Sequence, residues 1–132
     1  MTTRPRVLVV DDDESIRKFA LRVLEDAGYE VVSVEDGAGA LRLTECEARF
    51  DGFVLDVMMP EMKGDELGRR LRQKDADAKI LYFTGYVDRL FEERATLWEN
   101  EAFIEKPVTV DGLRQAVSLL LFGNMTGTPT EK

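Results

Sequence analysis

Short apolar segments in this chain are directly followed by polar side chains. The chemistry of these side chains suits the binding of a cation and of a phosphoryl group. Asp11 and Asp12 end the first such segment, and Asp56, Thr84 and Lys106 each end a later one. Three carboxylates, a hydroxyl and an ammonium group would together bind a divalent cation and a phosphate. Histidine is absent from the 132 residues, which excludes Ser-His-Asp and Cys-His catalysis, HExxH zinc sites and a phosphohistidine.

The acidic residues also indicate the kind of cation. Carboxylates that lie close together repel one another, and a divalent cation relieves that repulsion. Oxygen ligands without His or Cys favour Mg²⁺, or Mn²⁺, over Zn²⁺. Lys106 would add a positive charge for the phosphate, and the Thr84 hydroxyl would donate a hydrogen bond to it. Taken singly, each residue has a simpler interpretation as a helix cap, a turn residue or a surface charge; their joint placement favours phosphoryl transfer.

Alternating strands and helices must position these residues. Short apolar runs predict five strands, at residues 6–10, 30–34, 52–55, 79–83 and 102–105. Apolar residues at helical spacing predict a helix after each strand, at residues 16–27, 38–48, 67–71, 87–98 and 113–121. Asp13 is predicted to cap the first helix, Gly28 to end it, and Thr109 to cap the last. This alternation predicts a parallel sheet with helices on both faces, whose ligands bind at the carboxyl ends of the strands.

Composition limits the class of protein. The chain is 44% hydrophobic and 33% charged, which is typical of one globular domain. Its net charge of −8 argues against direct binding to nucleic acid or to an anionic membrane. We expect no transmembrane segment or signal peptide, and the single Cys46, predicted to be buried in a helix, suits the cytoplasm. We expect a domain over residues 1–122, followed by a flexible tail over residues 123–132.

At this point the sequence resembles the receiver domain of two-component response regulators. The resemblance rests on four motifs in order, spread over about residues 7–122: Val9-Val-Asp-Asp-Asp13, Leu55-Asp-Val-Met-Met-Pro60 with Gly64, Phe83-Thr-Gly85 and Glu105-Lys-Pro107. It implies an α/β fold, a (βα)5 three-layer sandwich with a five-stranded parallel sheet in the flavodoxin-like order 2-1-3-4-5.

The resemblance implies a role for each site residue. Asp56 is the phosphoacceptor, and Asp12, Asp56 and the backbone carbonyl of Met58 bind Mg²⁺ directly, while Asp11 acts largely through metal-bound water. The phosphoryl oxygens are bound by Thr84 and Lys106, beside the small Gly85. Phe103 stands at the position of the switch aromatic residue, which follows the hydroxyl residue inward on phosphorylation. The residues that we expect to tune the phosphate lifetime are Met58 and Tyr86, because a thioether and an aromatic ring hold an attacking water poorly.

The resemblance also implies partners. A sensor histidine kinase or a histidine phosphotransfer protein would supply the phosphoryl group. The face formed by the fourth predicted helix, the fifth strand and the last helix would then change and regulate a downstream protein or form a homodimer. Such a domain is a regulatory phosphoacceptor that catalyses only its own phosphoryl transfer and slow autodephosphorylation. We expect either a stand-alone regulator or a receiver from a larger protein such as a hybrid kinase.

Two other functions fit part of the sequence. Asp11-Asp-Asp13 matches the D-x-D pattern of haloacid-dehalogenase-type phosphatases, with Asp11 as nucleophile. That family needs a later acidic metal pair, but after Val108 the sequence has only Asp111 and Glu131, and Asp56 would have no role. A receiver-like interaction module that signals without phosphate is the second alternative. Phosphorylation of Asp56 by a small donor would distinguish the three functions.

Overall fold

The computed structural model describes residues 4–46, 49–84, 101–105 and 108–123. Five strands lie in these ranges: β1 (Arg6–Val10), β2 (Glu30–Val34), β3 (Gly52–Asp56), β4 (Ile80–Thr84) and β5 (Glu101–Glu105). Four helices accompany them: α1 (Glu14–Asp26), α2 (Gly37–Cys46), α3 (Gly64–Lys74) and α4 (Val110–Phe122). The helix predicted over residues 87–98 lies outside the described residues, as does nearly all of the predicted tail.

The five strands form one parallel sheet in the order β2-β1-β3-β4-β5, which confirms the predicted fold class and strand order. Val10 of β1 pairs with Leu55 of β3, and Asp56 pairs with Phe83 of β4. In this register Asp11, just after β1, and Asp56, the last residue of β3, reach the same edge of the sheet. Carboxyl ends of parallel strands share one edge, so the topology brings these two acids together.

Both faces of the sheet are covered, which explains why its strands are apolar on both sides. In β1, Leu8 and Val10 point into a core with Leu67 and Leu71 of α3. The alternate residues of β1, Val7 and Val9, pack instead in a second core. Residues of α1 and α4 complete this second core: Ala20, Val23, Leu24, Leu113 and Val117. The molecule is therefore a three-layer sandwich, with α2 and α3 on one face and α1 and α4 on the other.

The ends of the helices follow the predicted signals. Asp13 caps α1, since its Oδ1 accepts hydrogen bonds from the backbone N–H of Ser15 (2.9 Å) and Ile16 (3.4 Å). Thr109 caps α4 by accepting a hydrogen bond from Gly112 N at 2.9 Å. Gly28 has a φ of 101° just after α1, a conformation that glycine adopts without steric cost. All three predictions are confirmed.

One prediction about a side chain is wrong. Cys46 is exposed rather than buried, because it is the last residue of α2 and lies beyond the turns that pack on the sheet.

Within the described ranges, no helix has both the length and the apolar character that crossing a membrane requires.

Candidate metal centre

The loop after β1 holds two of the predicted metal ligands. Asp11 is fully buried, whereas the adjacent Asp12 is exposed. The N–H of Asp11 donates to Val34 O at 3.3 Å, so the backbone continues the pairing of β1 with β2 by one residue. The Asp11 carboxylate accepts a hydrogen bond from the N–H of Asp13 at 2.9 Å. The same short loop thus turns the Asp11 side chain toward the sheet edge and begins α1.

The end of β3 supplies the third acid. Asp56 is only 4% exposed, and its Oδ1 accepts a hydrogen bond from the N–H of Met58 at 3.2 Å. The next residue, Val57, donates its N–H to Phe83 O at 3.1 Å, which extends the pairing of β3 with β4. Backbone pairing on one side and the turn at Met58 on the other therefore hold Asp56 at the edge of the sheet.

The three acids form one cluster. Asp11, Asp12 and Asp56 each offer a carboxylate oxygen, and these oxygens all lie within 4.8 Å of one another. Two oxygens bound to the same Mg²⁺ at ~2.1 Å lie at most about 4.2 Å apart, so small side-chain rotations would allow Asp12 and Asp56 to bind one ion directly, with Asp11 close enough to bind it through a water. The cluster joins two buried acids to one exposed acid. Its all-oxygen composition fits Mg²⁺ or Mn²⁺.

Gly64 allows the loop after Asp56 to close tightly. A Cβ atom at Gly64 would clash with the backbone oxygen of Asp56 and would lie 2.9 Å from the Cα of Val57. The N–H of Gly64 donates to Val57 O at 2.9 Å, which holds the first residue of α3 against the end of β3. Any side chain at Gly64 would push the backbone of Asp56 away. In the same loop Glu61 has a positive φ of 70°, which favours glycine.

Arg17 contacts the loop after β1, and the sequence analysis did not predict this contact. Its Nη1 donates to the backbone oxygen of Asp11 at 2.8 Å, across the first turn of α1. This bond ties the helix to the loop that carries the metal ligands. The available signal in the sequence was an arginine four residues after the predicted cap Asp13, which lies one helical turn away. That spacing is common in solvated helices, so the sequence alone did not mark it.

The remaining predicted site residues are described in part or not at all. Thr84 is the last residue of β4, and its backbone pairs with Glu105, so it ends its strand at the same edge as Asp56. Phe103 lies in the middle of β5, where its backbone pairs with Tyr82. Met58 is half-buried. Three further residues, Gly85, Tyr86 and Lys106, lie outside the described residues, and their roles remain predictions.

Comparison with known proteins identifies the family. The family model of the response regulator receiver domain matches residues 7–118 of this chain. This chain belongs to the receiver-domain family. It is 41% identical over 116 residues to the response regulator receiver protein CpdR of Brucella abortus, covering 88% of this chain and 96% of CpdR. It is 38% identical over 117 residues to the response regulator MprA of Mycolicibacterium vanbaalenii, covering 88% of this chain and 50% of MprA.

The fold of this receiver domain is also similar to that of solved response regulators. A structure of TrrA from Thermotoga maritima, in complex with Mg²⁺ and BeF, has a TM-score of 0.78 and 32% identity. The similarity covers 89% of this chain and 99% of TrrA. The chain is therefore a phosphorelay signalling switch, a regulatory domain rather than a classical enzyme. Neither the phosphatase nor the phosphate-independent module is favoured by these relatives.

Proposed function

We propose that Asp56 accepts the phosphoryl group of this switch. The observation that supports this assignment is the cluster of Asp11, Asp12 and Asp56, in which Asp56 is buried at the carboxyl end of the central strand β3. An oxygen of Asp56 forms a bond to phosphorus while the bond between phosphorus and the donor nitrogen breaks. The bonding electron pair leaves with that nitrogen, which belongs to a histidine of a sensor kinase or of a phosphotransfer protein.

Asp11 and Asp12, with Asp56 and the backbone carbonyl of Met58, would hold Mg²⁺. When bound, the ion supplies positive charge that offsets the carboxylates and the incoming phosphoryl oxygens. The N–H of Met58 donates to Oδ1 of Asp56, and this hydrogen bond orients the carboxylate that would accept the phosphoryl group. Asp13 has a different task, because its side chain caps α1. Thr84 and Lys106 would bind the phosphoryl oxygens.

Intact-mass measurement after incubation with acetyl phosphate and Mg²⁺ tests the assignment. We expect one phosphate adduct in the wild type and in Asp13→Asn, which keeps the cluster intact. We expect none in Asp56→Asn, and far less adduct in the wild type in EDTA. An adduct that persists in Asp56→Asn would disprove the assignment. A phosphate found on Asp11 would favour the phosphatase chemistry instead.

We propose that the output of the switch is a change in the face that includes β5 and α4. The family resemblance assigns Thr84 and Phe103 to the coupling between the phosphate and this face. An exposed Leu119 on α4, with half of its surface accessible, supports a role for that helix in contacting a partner. The partner would be a downstream protein or a second copy of the chain. Amide chemical shifts of α4 before and after phosphorylation would test the change, and unchanged shifts would exclude it.

The lifetime of the phosphate is a further part of this proposal. Hydrolysis requires a water in line with the phosphorus, opposite Asp56. Met58 follows Asp56 by two residues and is half-buried, and Tyr86 follows Thr84 by two residues. We expect slow loss of phosphate, because neither side chain orients water well. The double variant Met58→Asn/Tyr86→Glu should lose phosphate faster than the wild type in a time course of intact mass. An unchanged rate would show that these residues do not control water access.

A further inference from the structure

The helix α3 carries a charge opposite to that of the whole chain. Between residues 63 and 74 the sequence has five cations and two carboxylates, whereas the chain has a net charge of −8. The cations are Lys63, Arg69, Arg70, Arg72 and Lys74, and the carboxylates are Asp65 and Glu66. A positive patch on an acidic protein attracts anionic groups locally while the rest of the surface repels them.

A groove runs between α2 and α3 beside these cations. One cavity of about 460 Å³ is lined by Leu41 and Glu45 of α2 and by Arg69, Arg70, Gln73 and Lys74 of α3. Lys74 also lines a second cavity of about 490 Å³, whose walls include the aromatic rings of Phe50 and Phe53 and the side chain of Leu71. We call the two cavities together the α2–α3 groove. It combines a cationic rim with apolar walls.

The cations on the rim are held only weakly by the protein itself. Arg70 pairs with Glu66 at 2.8 Å and Lys74 with Glu45 at 3.2 Å, and all four side chains are at least 37% exposed. Exposed pairs of this kind contribute about 0–1 kcal/mol, so another carboxylate can replace Glu66 or Glu45 at low cost. Arg69 is exposed and has no ion-pair or hydrogen-bond partner for its side chain among the described residues.

We propose that the α2–α3 groove binds an acidic polypeptide segment of a partner protein, with at least one apolar side chain placed against its walls. Carboxylates of the segment would pair with Arg69, Arg70 and Lys74, while the apolar side chain would contact Leu41 or the aromatic wall. A nucleic acid or an anionic membrane fits less well, because either presents extended negative charge to a chain of net charge −8. The groove lies on the face of the sheet opposite α4, so this contact would leave α4 free for the switch output.

A synthetic peptide with glutamate on one helical face and leucine at i, i+3 and i+4 spacing is a suitable probe. Fluorescence anisotropy gives its affinity, and amide chemical shifts locate it. We expect the shifts to concentrate at residues 41–45 and 69–74. Arg69→Glu/Arg70→Glu should weaken binding at least tenfold, which corresponds to about 1.4 kcal/mol. Lys18→Glu/Arg22→Glu makes the same charge change on exposed residues of α1 and should weaken binding less than about twofold.

Two further comparisons test whether weaker binding reflects lost folding or charge alone. One changes the protein and the other changes the peptide. Arg69→Gln changes an exposed residue, and should weaken binding about threefold with an unchanged melting temperature. A peptide with serine in place of leucine should bind more weakly than the leucine peptide, because it loses the apolar contact. Equal losses in the α1 control, or shifts outside the groove, would overturn the proposal. Tighter binding of single-stranded DNA or of anionic vesicles, with the same dependence on Arg69, would also overturn it.

Discussion

At the carboxyl end of the sheet, Asp11, Asp12 and Asp56 bring like charges within 4.8 Å, whereas the amino end pairs opposite charges. There Arg6 forms an ion pair with Glu30 at 2.8 Å, its N–H donates to Asp51 at 2.7 Å, and its guanidinium lies 4.5 Å from the centre of the Phe50 ring. The Lys79 ammonium donates to Leu121 O at 3.1 Å.

This difference separates a stabilising end of the sheet from a functional end. At the amino end, Arg6 and Lys79 bind partners from the chain itself, and their contacts join neighbouring elements of the fold. The carboxyl end collects carboxylates that repel one another, and a bound divalent cation would relieve that repulsion. Functional sites commonly hold such unfavourable arrangements, which the rest of the fold must offset. Four predictions test the contrast, from the largest expected effect to the smallest.

Replacing a glycine with alanine should destabilise the fold far more at the carboxyl end of the sheet than at the amino end. Gly64→Ala places a Cβ against the backbone of Asp56, so we expect destabilisation of about 3 kcal/mol and loss of phosphorylation. Gly52→Ala at the amino end meets only the flexible end of Leu121 at 2.8 Å and should cost about 1 kcal/mol. Urea unfolding measures both values. Similar costs at the two positions would show that the backbone around Asp56 can move.

Removing the Arg17 guanidinium should destabilise the fold more than removing a neighbouring one. Arg17→Met loses the hydrogen bond to Asp11 O, and we expect a loss of about 1–2 kcal/mol. Arg22→Met makes the same chemical change at an exposed position of α1 and should change stability by less than about 0.5 kcal/mol. Urea unfolding in EDTA keeps metal binding out of the comparison. If the two variants are equally stable, the Arg17 bond does not hold the acidic loop.

Neutralising one acid should stabilise the metal-free fold at the carboxyl end of the sheet and destabilise it at the amino end. Asp56→Asn keeps an oxygen that accepts from Met58 N but removes a negative charge, so the metal-free protein should gain about 1 kcal/mol. Added Mg²⁺ should then stabilise it less than the wild type. Glu30→Gln weakens the pair with Arg6 and should cost about 0.5 kcal/mol. Thermal unfolding with and without Mg²⁺ measures these changes, and a loss of stability in metal-free Asp56→Asn would contradict the repulsion.

The smallest effect concerns the amino end and appears only at alkaline pH. Burial raises the pKa of Tyr29 above its usual 10.0, and its ring stacks on Phe122 with centroids 6.3 Å apart. Above pH 10 the unfolded chain ionises this tyrosine more readily than the folded chain, so the free energy of unfolding falls as pH rises. Tyr29→Phe should match the wild type at neutral pH and lose less stability above pH 10. Urea unfolding at several pH values measures this difference. If the free energy of unfolding falls equally with pH in Tyr29→Phe and in the wild type, the explanation is wrong.

Several features of the site were predictable because they depend on local patterns. Asp13 and Thr109 cap their helices as their residue types and positions suggested. The meeting of Asp11 with Asp56 followed from two apolar runs that each end in an acid, since parallel strands place their carboxyl ends together. The exposure of Cys46 was not predictable, because helical spacing does not show where along α2 the contact with the sheet ends.

The order of residue types by itself determined the parallel sheet, its strand ends and the acids that follow them, because strand and helix periodicity and caps are local properties. Only the tertiary structure decided how closely parts of the chain approach one another. The contact of Gly64 with the Asp56 backbone, the bond from Arg17 to Asp11 and the stacking of Tyr29 on Phe122 all depend on such distances. Packing of several elements at once sets those distances, and no single segment of sequence contains that information.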